Sequence, residues 1–488
     1  FLWNYLDDPQ GIPRPSHAYW MPLTSFLAAI GMSIFDAHTF LAARSGFLLL
    51  AGLIPPLTAL LSFRLNRDRF LATLSGLLAV FPVFYLPFLP VTDTFALYMF
   101  LGVNFFLLLS SSPSHPHLPI HSFLLGLLAG LMHLSRADGI LWLLVAIVVG
   151  YINLSIPNHN SRLTTRNSQL VSRISRFTST FALILVGYLL IMGPWLFRNV
   201  HVFGTLLAPG GSRALWLTDY DELYAYPADQ LTFSRWWRSG VKAILQDRLW
   251  ALGQNLQTAL AVQGSIILLP LIVWGAWHHR RDFRVQIGIF AWLFTFAIMF
   301  VVFPFAGARG GFFHSGAALQ PLFWALTPAG LERFIAWGTR VRGWTKQQAR
   351  IFFSSALIIL VISLSTFIVG ERVIGWGRDA HAWDAGQQAY TQLEQTLQTL
   401  GAAPSDIVMV NNPPGYYLAS GRQAIVVPDG DPKTLLAAAE RYRACYVLLE
   451  KNHPRPLNQL YNNPKNVDGF HFLWSDGLIH VLLVDDSP

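Results

Sequence analysis

The sequence predicts a mainly α, polytopic helical membrane protein of about ten spans, with a small α/β domain at its C-terminal end. Three observations predict this. Of 488 residues, 53% are hydrophobic and only 12% are charged, against roughly 25% charged in an ordinary soluble protein. Apolar runs of membrane-spanning length recur between residues 39 and 370. Basic residues fall in alternate connections between those runs, as the positive-inside rule requires. Together they exclude a disordered chain and an ordinary cytosolic enzyme.

Taken in order, the first fifteen residues, FLWNYLDDPQGIPRP, hold no initiator Met, basic leader or apolar signal core. MPLTSFLAAIGMSIF (21–35) is too short to span and is expected to lie at the interface. Spans are expected at about 39–63, 70–90, 94–111, 121–135, 138–155, 178–197, 257–277, 285–304, 313–335 and 351–370. If residues 1–38 lie outside, the inner connections carry Arg64, Arg67 and Arg69, then Arg162, Arg166, Arg173 and Arg176. Next come Arg280, Arg281 and Arg284, then Arg340, Arg342, Lys346 and Arg350, with only Asp68 and Asp282 in opposition. Both termini of a ten-span chain then lie outside. A Met-initiated chain without a signal normally starts inside, so one upstream span is expected, making about eleven in the full protein.

Two long segments remain outside. Residues 198–256 form a polar, Trp-rich loop with DYDELYAYPADQ and SRWWRSGVKAIL. Residues 371–488 form an extracytoplasmic tail. In it IVMVNN (407–412), AIVVP (424–428), CYVLLE (445–450), FHFLW (470–474) and IHVLLV (479–484) read as strands. DPKTLLAAAERYR (431–443) reads as a helix capped by Asp431. The expected domains are therefore 1–38, the remainder of an outer loop; 39–370, the membrane domain; and 371–488, the α/β domain.

Charge narrows the partners. Residues 1–370 hold 25 Lys and Arg against 13 Asp and Glu, whereas residues 371–488 hold 9 against 13. The cations are spread over separate loops rather than one stripe, which argues against nucleic acid and for membrane lipids. A single cysteine, Cys445, excludes an internal disulfide and a Cys-based metal site.

Ionisable groups at membrane depth or at helix ends are costly, which makes them functional candidates. Asp93, in LPVTDTFALYMF at an outer turn, suits a general base or metal ligand, and equally an N-cap. Arg136 and Asp138, in HLSRADGILWLL, suit a phosphate grip with its orienting carboxylate, or a local ion pair closing a turn. Arg198 ends a span in GPWLFRN and would bind phosphate or snorkel. Arg309, in the Gly-rich FPFAGARGGFFHSG, is a phosphate candidate or part of a flexible loop. Lys242, in WWRSGVKAIL, is a substrate cation or a membrane-surface anchor. His17, in PRPSHAYWMPL, could donate to substrate or be simply solvated, and Asp7 and Asp8 are a weaker acidic pair. There is no GxGxxG, Walker loop, HExxH or GxSxG.

Five stretches in order, PSHAYWMPLTS (15–25), TDTFALYMFLG (92–102), LSRADGILWL (134–143), GPWLFRNVHVFG (193–204) and NNPPGYYLASGRQAIVVP (411–428), resemble the GT-C class of membrane glycosyltransferases. The likeness is to bacterial relatives of protein O-mannosyltransferases and to aminoarabinose transferases. It implies transfer of a sugar from a polyprenyl-phosphate donor to a hydroxyl of protein, lipid or glycan, on the outer face of a bacterial plasma membrane. It implies a catalytic Asp93 and, as donor-holding cations, Arg136, Arg198, Lys242 and Arg309. In such relatives the main general base follows the first span, upstream of the PSHAYWMPL-like stretch. This chain begins later, which leaves Asp8 a weak substitute and implies an inactive fragment. No cofactor is required; a divalent Mg or Mn held by Asp93 would bridge donor and protein, although one carboxylate is a poor site for either. Two other readings compete: a transporter or flippase for lipid-linked sugars, which should show repeats and midplane charges, and a scaffold in which these charges are replaceable.

Overall fold

The computed structural model describes residues 1–6, 15–110, 119–155, 166–208, 210–377, 381–465 and 467–485, with backbone alone at 153–155 and 166–176. Asp7, Asp8, Arg14 and Arg162 lie outside the described residues. The chain divides into two compact units. One comprises Trp20–His201 and Arg248–Gly370; the other comprises Phe1–Tyr19, Val202–Asp247 and Glu371–Pro488.

The first unit is helical. Among the described residues, four helices are long and apolar enough to cross a membrane: Phe40–Asn66, Phe177–Phe203, Phe283–Val301 and Lys346–Ile374. They make this an integral membrane protein. The other expected spans are shorter or interrupted, each for a visible reason. Thr94–Leu108 has 15 residues and Pro119–Ser135 has 17, below the roughly 20 that cross a bilayer unaided. The expected 70–90 span is the helix Arg69–Val80 followed by a 3₁₀ turn at Val83–Phe88. The expected 257–277 span opens as a π-turn at Thr258–Gln263, continues through positive φ at Ser265 and Ile266, and ends as Leu269–His278. Leu23–Ile34 is a separate short helix, and its Phe26, Ile30 and Ile34 are exposed, as an interfacial helix requires.

Burial compensates for shortness. Nearly all of Thr94–Leu108 is covered, with Phe95, Tyr98, Met99, Phe105 and Phe106 in the core. Such a helix is stabilised by packing against neighbours rather than by lipid. Gly102 makes one such approach through backbone. A Cβ there would lie 2.0 Å from the carbonyl oxygen of Ala318, so only glycine lets this helix meet the Ala317–Leu319 turn backbone to backbone. That contact fixes the chain just ahead of Ala317 alongside the start of Thr94–Leu108.

The second unit is built on a five-stranded sheet of β1 (Ile407–Val410), β2 (Ala424–Val426), β3 (Ala444–Glu450), β4 (Phe470–Ser475) and β5 (Ile479–Val484). The order is β2-β1-β3-β5-β4. β1 runs parallel to β2 and β3, and β5 antiparallel to β3 and β4. Val408, Met409 and Val410 of β1 and Val447, Leu448 and Leu449 of β3 are buried, the continuous apolar run expected where a parallel pair is covered on both faces. Asp431 caps Pro432–Tyr442 by accepting from Thr434 N at 2.9 Å. Leu2 adds a parallel bridge to β2, donating to Ala424 O at 2.9 Å and accepting from Val426 N at 3.0 Å.

A buried ion pair stabilises the interior of this unit. Arg422 donates through Nε to Glu394 Oε2 at 2.9 Å and through Nη2 to Oε1 at 2.7 Å. Its Nη1 donates to the carbonyls of Ala403 and Asp406, and Tyr416 Oη donates to Glu394 at 2.6 Å. Burial alone would raise the Glu394 carboxyl, but donation from Arg422, Tyr416 and Gln398 holds it below the usual range.

Candidate functional site

The first unit gathers Asp93, Arg136 and Asp138 around one connector. Asp93 is extended and caps Thr94–Leu108, its Oδ1 accepting from Thr94 N and, at 3.2 Å, from Thr94 Oγ1. Local sequence dictates this: an Asp followed by an apolar helix satisfies an orphan N–H. Arg136 and Asp138 flank the 3₁₀ turn Ala137–Gly139, which joins Pro119–Ser135 to Ile140–Ser155. Arg136 Nε donates to Asp138 Oδ1 at 2.8 Å, and the guanidinium sits 6.0 Å above the ring of buried Tyr98.

The connector Pro304–Leu319 is a broken helix. It opens with Pro304–Ala306 and passes through a π-turn at Gly307–Gly311, in which Arg309 leaves helical geometry. Gly310 there has φ +118°, a conformation that L side chains rarely adopt. The chain then re-forms a helix at Phe312–Gly316 before the Ala317–Leu319 turn. Phe313 packs on Tyr85 and Phe95 with ring centroids 4.8 and 4.6 Å apart, and Tyr85 Oη donates to the Phe313 carbonyl at 3.2 Å.

This break delivers two adjacent side chains to two separate carboxylates. His314 Nδ1 lies 3.1 Å from Thr94 Oγ1 and 3.6 Å from Asp93 Oδ1. Ser315 Oγ donates to Asp138 Oδ2 and also to Gly311 O. Asp93, Arg136, Asp138, His314 and Ser315 thus form one cluster, in which Arg136, Asp93 and Asp138 all act electrostatically on His314. His133 stands behind it, its Nδ1 2.7 Å from Tyr188 Oη. The cluster keeps spare capacity. Among the described residues, Arg136 Nη1 and Nη2 and Asp93 Oδ2 make no hydrogen bond.

Of the other expected site residues, Arg309 is exposed on the same connector, ahead of His314. Arg198 belongs to the same unit, with its guanidinium 4.7 Å above the ring of Trp195 and Nη1 donating to Asn199 Oδ1 at 3.2 Å. His17 and Lys242 belong to the other unit, where His17 is half-buried with φ 60° and Lys242 is exposed. Asp8 lies outside the described residues. Sequence reasoning missed Thr94, His314 and Ser315. The one signal was the Gly-rich stretch already quoted for Arg309, which contains both His314 and Ser315.

The cluster does not fit a divalent cation. Among the described residues no group of three His, Cys, Asp or Glu is placed to hold one. Asp138 is committed to Arg136 and Ser315, which leaves Asp93 with His314, well short of the six oxygens that Mg or Mn takes. No step below is routed through a metal.

No protein-family model matches the chain, and no curated protein matches it either. Solved structures do. The archaeal oligosaccharyltransferase AglB from Archaeoglobus fulgidus, in complex with an inhibitory peptide and a dolichol-phosphate, matches at 13% identity and TM-score 0.49, over 92% of this chain and 62% of that one. This chain thus spans less than two thirds of AglB. ArnT from Cupriavidus metallidurans matches at 10% identity and TM-score 0.54 with undecaprenyl phosphate bound, over 96% of this chain and 88% of that one. Its apo form matches at 11% identity and TM-score 0.52, over 95% and 87%. The chain is similar in fold to ArnT, a GT-C glycosyltransferase, as the resemblance of its sequence motifs anticipates.

Proposed function

We propose that this protein is a membrane glycosyltransferase that moves a sugar from a polyprenyl-phosphate donor to a hydroxyl acceptor of protein, lipid or glycan. It would act on the outer face of a bacterial plasma membrane, with the α/β tail on that side. One observation carries the reading. A carboxylate with a free oxygen and a guanidinium with a free edge stand in one cluster, joined through neighbouring residues His314 and Ser315. The ArnT structure with undecaprenyl phosphate supports the donor class.

The chemistry needs those two groups. A polyprenyl phosphate leaves readily once its developing charge is held, and the paired Nη atoms of Arg136 suit two phosphate oxygens. An acceptor hydroxyl ionises only far above neutral pH, so a carboxylate placed to take its proton, here Asp93, accelerates attack. A single displacement inverts the anomeric carbon. Asp138 and Ser315 hold Arg136 in place. Arg309 and Arg198 of the same unit supply further substrate contacts.

The test is transfer in proteoliposomes, using undecaprenyl-phosphate hexoses and pentoses and following release of sugar from the carrier. The full-length protein should release sugar to an acceptor, and Asp93→Asn in it should do so about 10²–10⁴-fold more slowly. Movement of intact lipid-linked sugar between leaflets without cleavage would instead identify a flippase.

A further inference from the structure

His314 is placed as a polar partner rather than as filler. Its ring stacks on Phe95, with centroids 4.1 Å apart and planes 23° apart, and Phe95 is 1% exposed. That stack fixes the imidazole plane and turns Nδ1 toward Thr94 Oγ1 and Asp93 Oδ1. A helix cap needs none of this, because Asp93 Oδ1 already takes Thr94 N. Packing alone would be served by a phenyl ring, without bringing a nitrogen to a carboxylate.

The hydrogen-bond directions follow from the donors available. Thr94 Oγ1 has one proton and lies 3.2 Å from Asp93 Oδ1, which only accepts. Turning that proton toward His314 would leave the Nδ1 lone pair facing a carboxylate oxygen at 3.6 Å. The arrangement without repulsion is a relay. His314 Nδ1–H donates to Thr94 Oγ1, whose O–H donates to Asp93 Oδ1. Oδ1 is then fully engaged, and Oδ2 is the oxygen left for chemistry.

We propose that His314 is a positioning residue for Asp93, holding the carboxylate through Thr94 so that Oδ2 takes the acceptor's proton. The inference rests on the transferase reading above. In the step, the acceptor O–H bond breaks and its proton goes to Asp93 Oδ2. The acceptor oxygen bonds to the anomeric carbon, and the bond from that carbon to the carrier phosphate breaks. The electron pair leaves on the phosphate, beside the Nη edge of Arg136. His314 keeps its Nδ1 proton throughout and exchanges nothing with substrate. The charged groups facing the imidazole are Asp93 from the start of Thr94–Leu108, and Arg136 and Asp138 from the Ala137–Gly139 turn.

Three substitutions in the whole protein, reconstituted in liposomes with the same undecaprenyl-phosphate sugars, separate positioning from packing. Asn places its amide N–H where Nδ1 stands, Gln places its own near Nε2, and Phe keeps the stack without a donor. His314→Phe and His314→Gln should lower kcat about 10- to 100-fold, the range in which residues orienting a reactive ligand act. KM for the donor should stay within about twofold. His314→Asn should recover most of that loss. Matching thermal unfolding of the three variants confirms that each is folded. Equal activity in all three variants, or kcat in His314→Phe equal to wild type, overturns the positioning role while leaving the transferase reading intact. A wild-type protein that releases no sugar under any donor overturns both.

Discussion

Arg136–Asp138 in the helical unit and Arg422–Glu394 in the sheet unit are both arginine–carboxylate pairs, and they differ in what they leave over. Arg422 uses Nε, Nη1 and Nη2 on Glu394 and on two backbone carbonyls, and the two side chains are 2% and 9% exposed. Arg136 spends only Nε on Asp138, with the side chains 17% and 15% exposed. A saturated, sealed pair can only hold structure. A pair with an open guanidinium edge and access to solvent can hold structure and still bind an anion. The difference teaches that the number of unused donors, rather than the presence of an ion pair, marks the functional one.

The largest effect should come from breaking the sealed pair. Arg422→Met leaves Glu394 buried and uncompensated, which costs about 3–5 kcal/mol in comparable sites. Thermal unfolding followed by circular dichroism in detergent should show the sheet unit melting early. Arg136→Gln should invert the pattern. Sugar release should fall about 10²–10³-fold, as when one oriented donor to a developing charge is removed, with the melting temperature moving far less than in Arg422→Met. If the two variants instead lose stability equally, the distinction between the pairs collapses.

The smallest effect sharpens the comparison with a carboxylate that lacks a full partner. Burial pushes Asp429 up to about 6, with Asp221, Glu222 and Asp219 adding to it and Arg235 opposing. A carboxyl raised above its unfolded value contributes stability that is present below the unfolded value and lost as pH rises through the folded one. The sheet unit should therefore weaken between about pH 4 and 6 from this source. Asp429→Asn should flatten that part of the stability–pH curve, measured by urea unfolding at several pH values.

Local features were legible before any coordinates. The β-strands near 407, 424, 445, 470 and 479 stand where short apolar runs put them. The Asp93 and Asp431 caps follow from an acid directly preceding a helix, and the Arg136–Asp138 pair from residues two apart at a turn. What could not be read was convergence. Ser315 and Asp138 are 177 residues apart, and His314 and Thr94 are 220. Their meeting depends on Gly102 admitting Ala318 and on the helix break at Gly307–Gly311, and no local pattern encodes either. Hydropathy also does not separate buried from lipid-facing. Apolar runs such as 94–111 signal removal from water, and protein neighbours satisfy that as well as lipid does.

The bridge from Leu2 to β2 has a consequence for biogenesis. Tyr5 reinforces it by donating to Val426 O across 421 residues of chain. At roughly 5–20 residues per second, the first residues wait about 20–80 s on the ribosome's schedule before their partner strand exists. The sheet unit therefore matures after the helices have been inserted, with its β2 edge covered by residues made long before it. Expressing residues 371–488 alone would remove Leu2 and leave that edge free to pair with another copy, so the tail would aggregate in isolation for a reason its own sequence does not reveal.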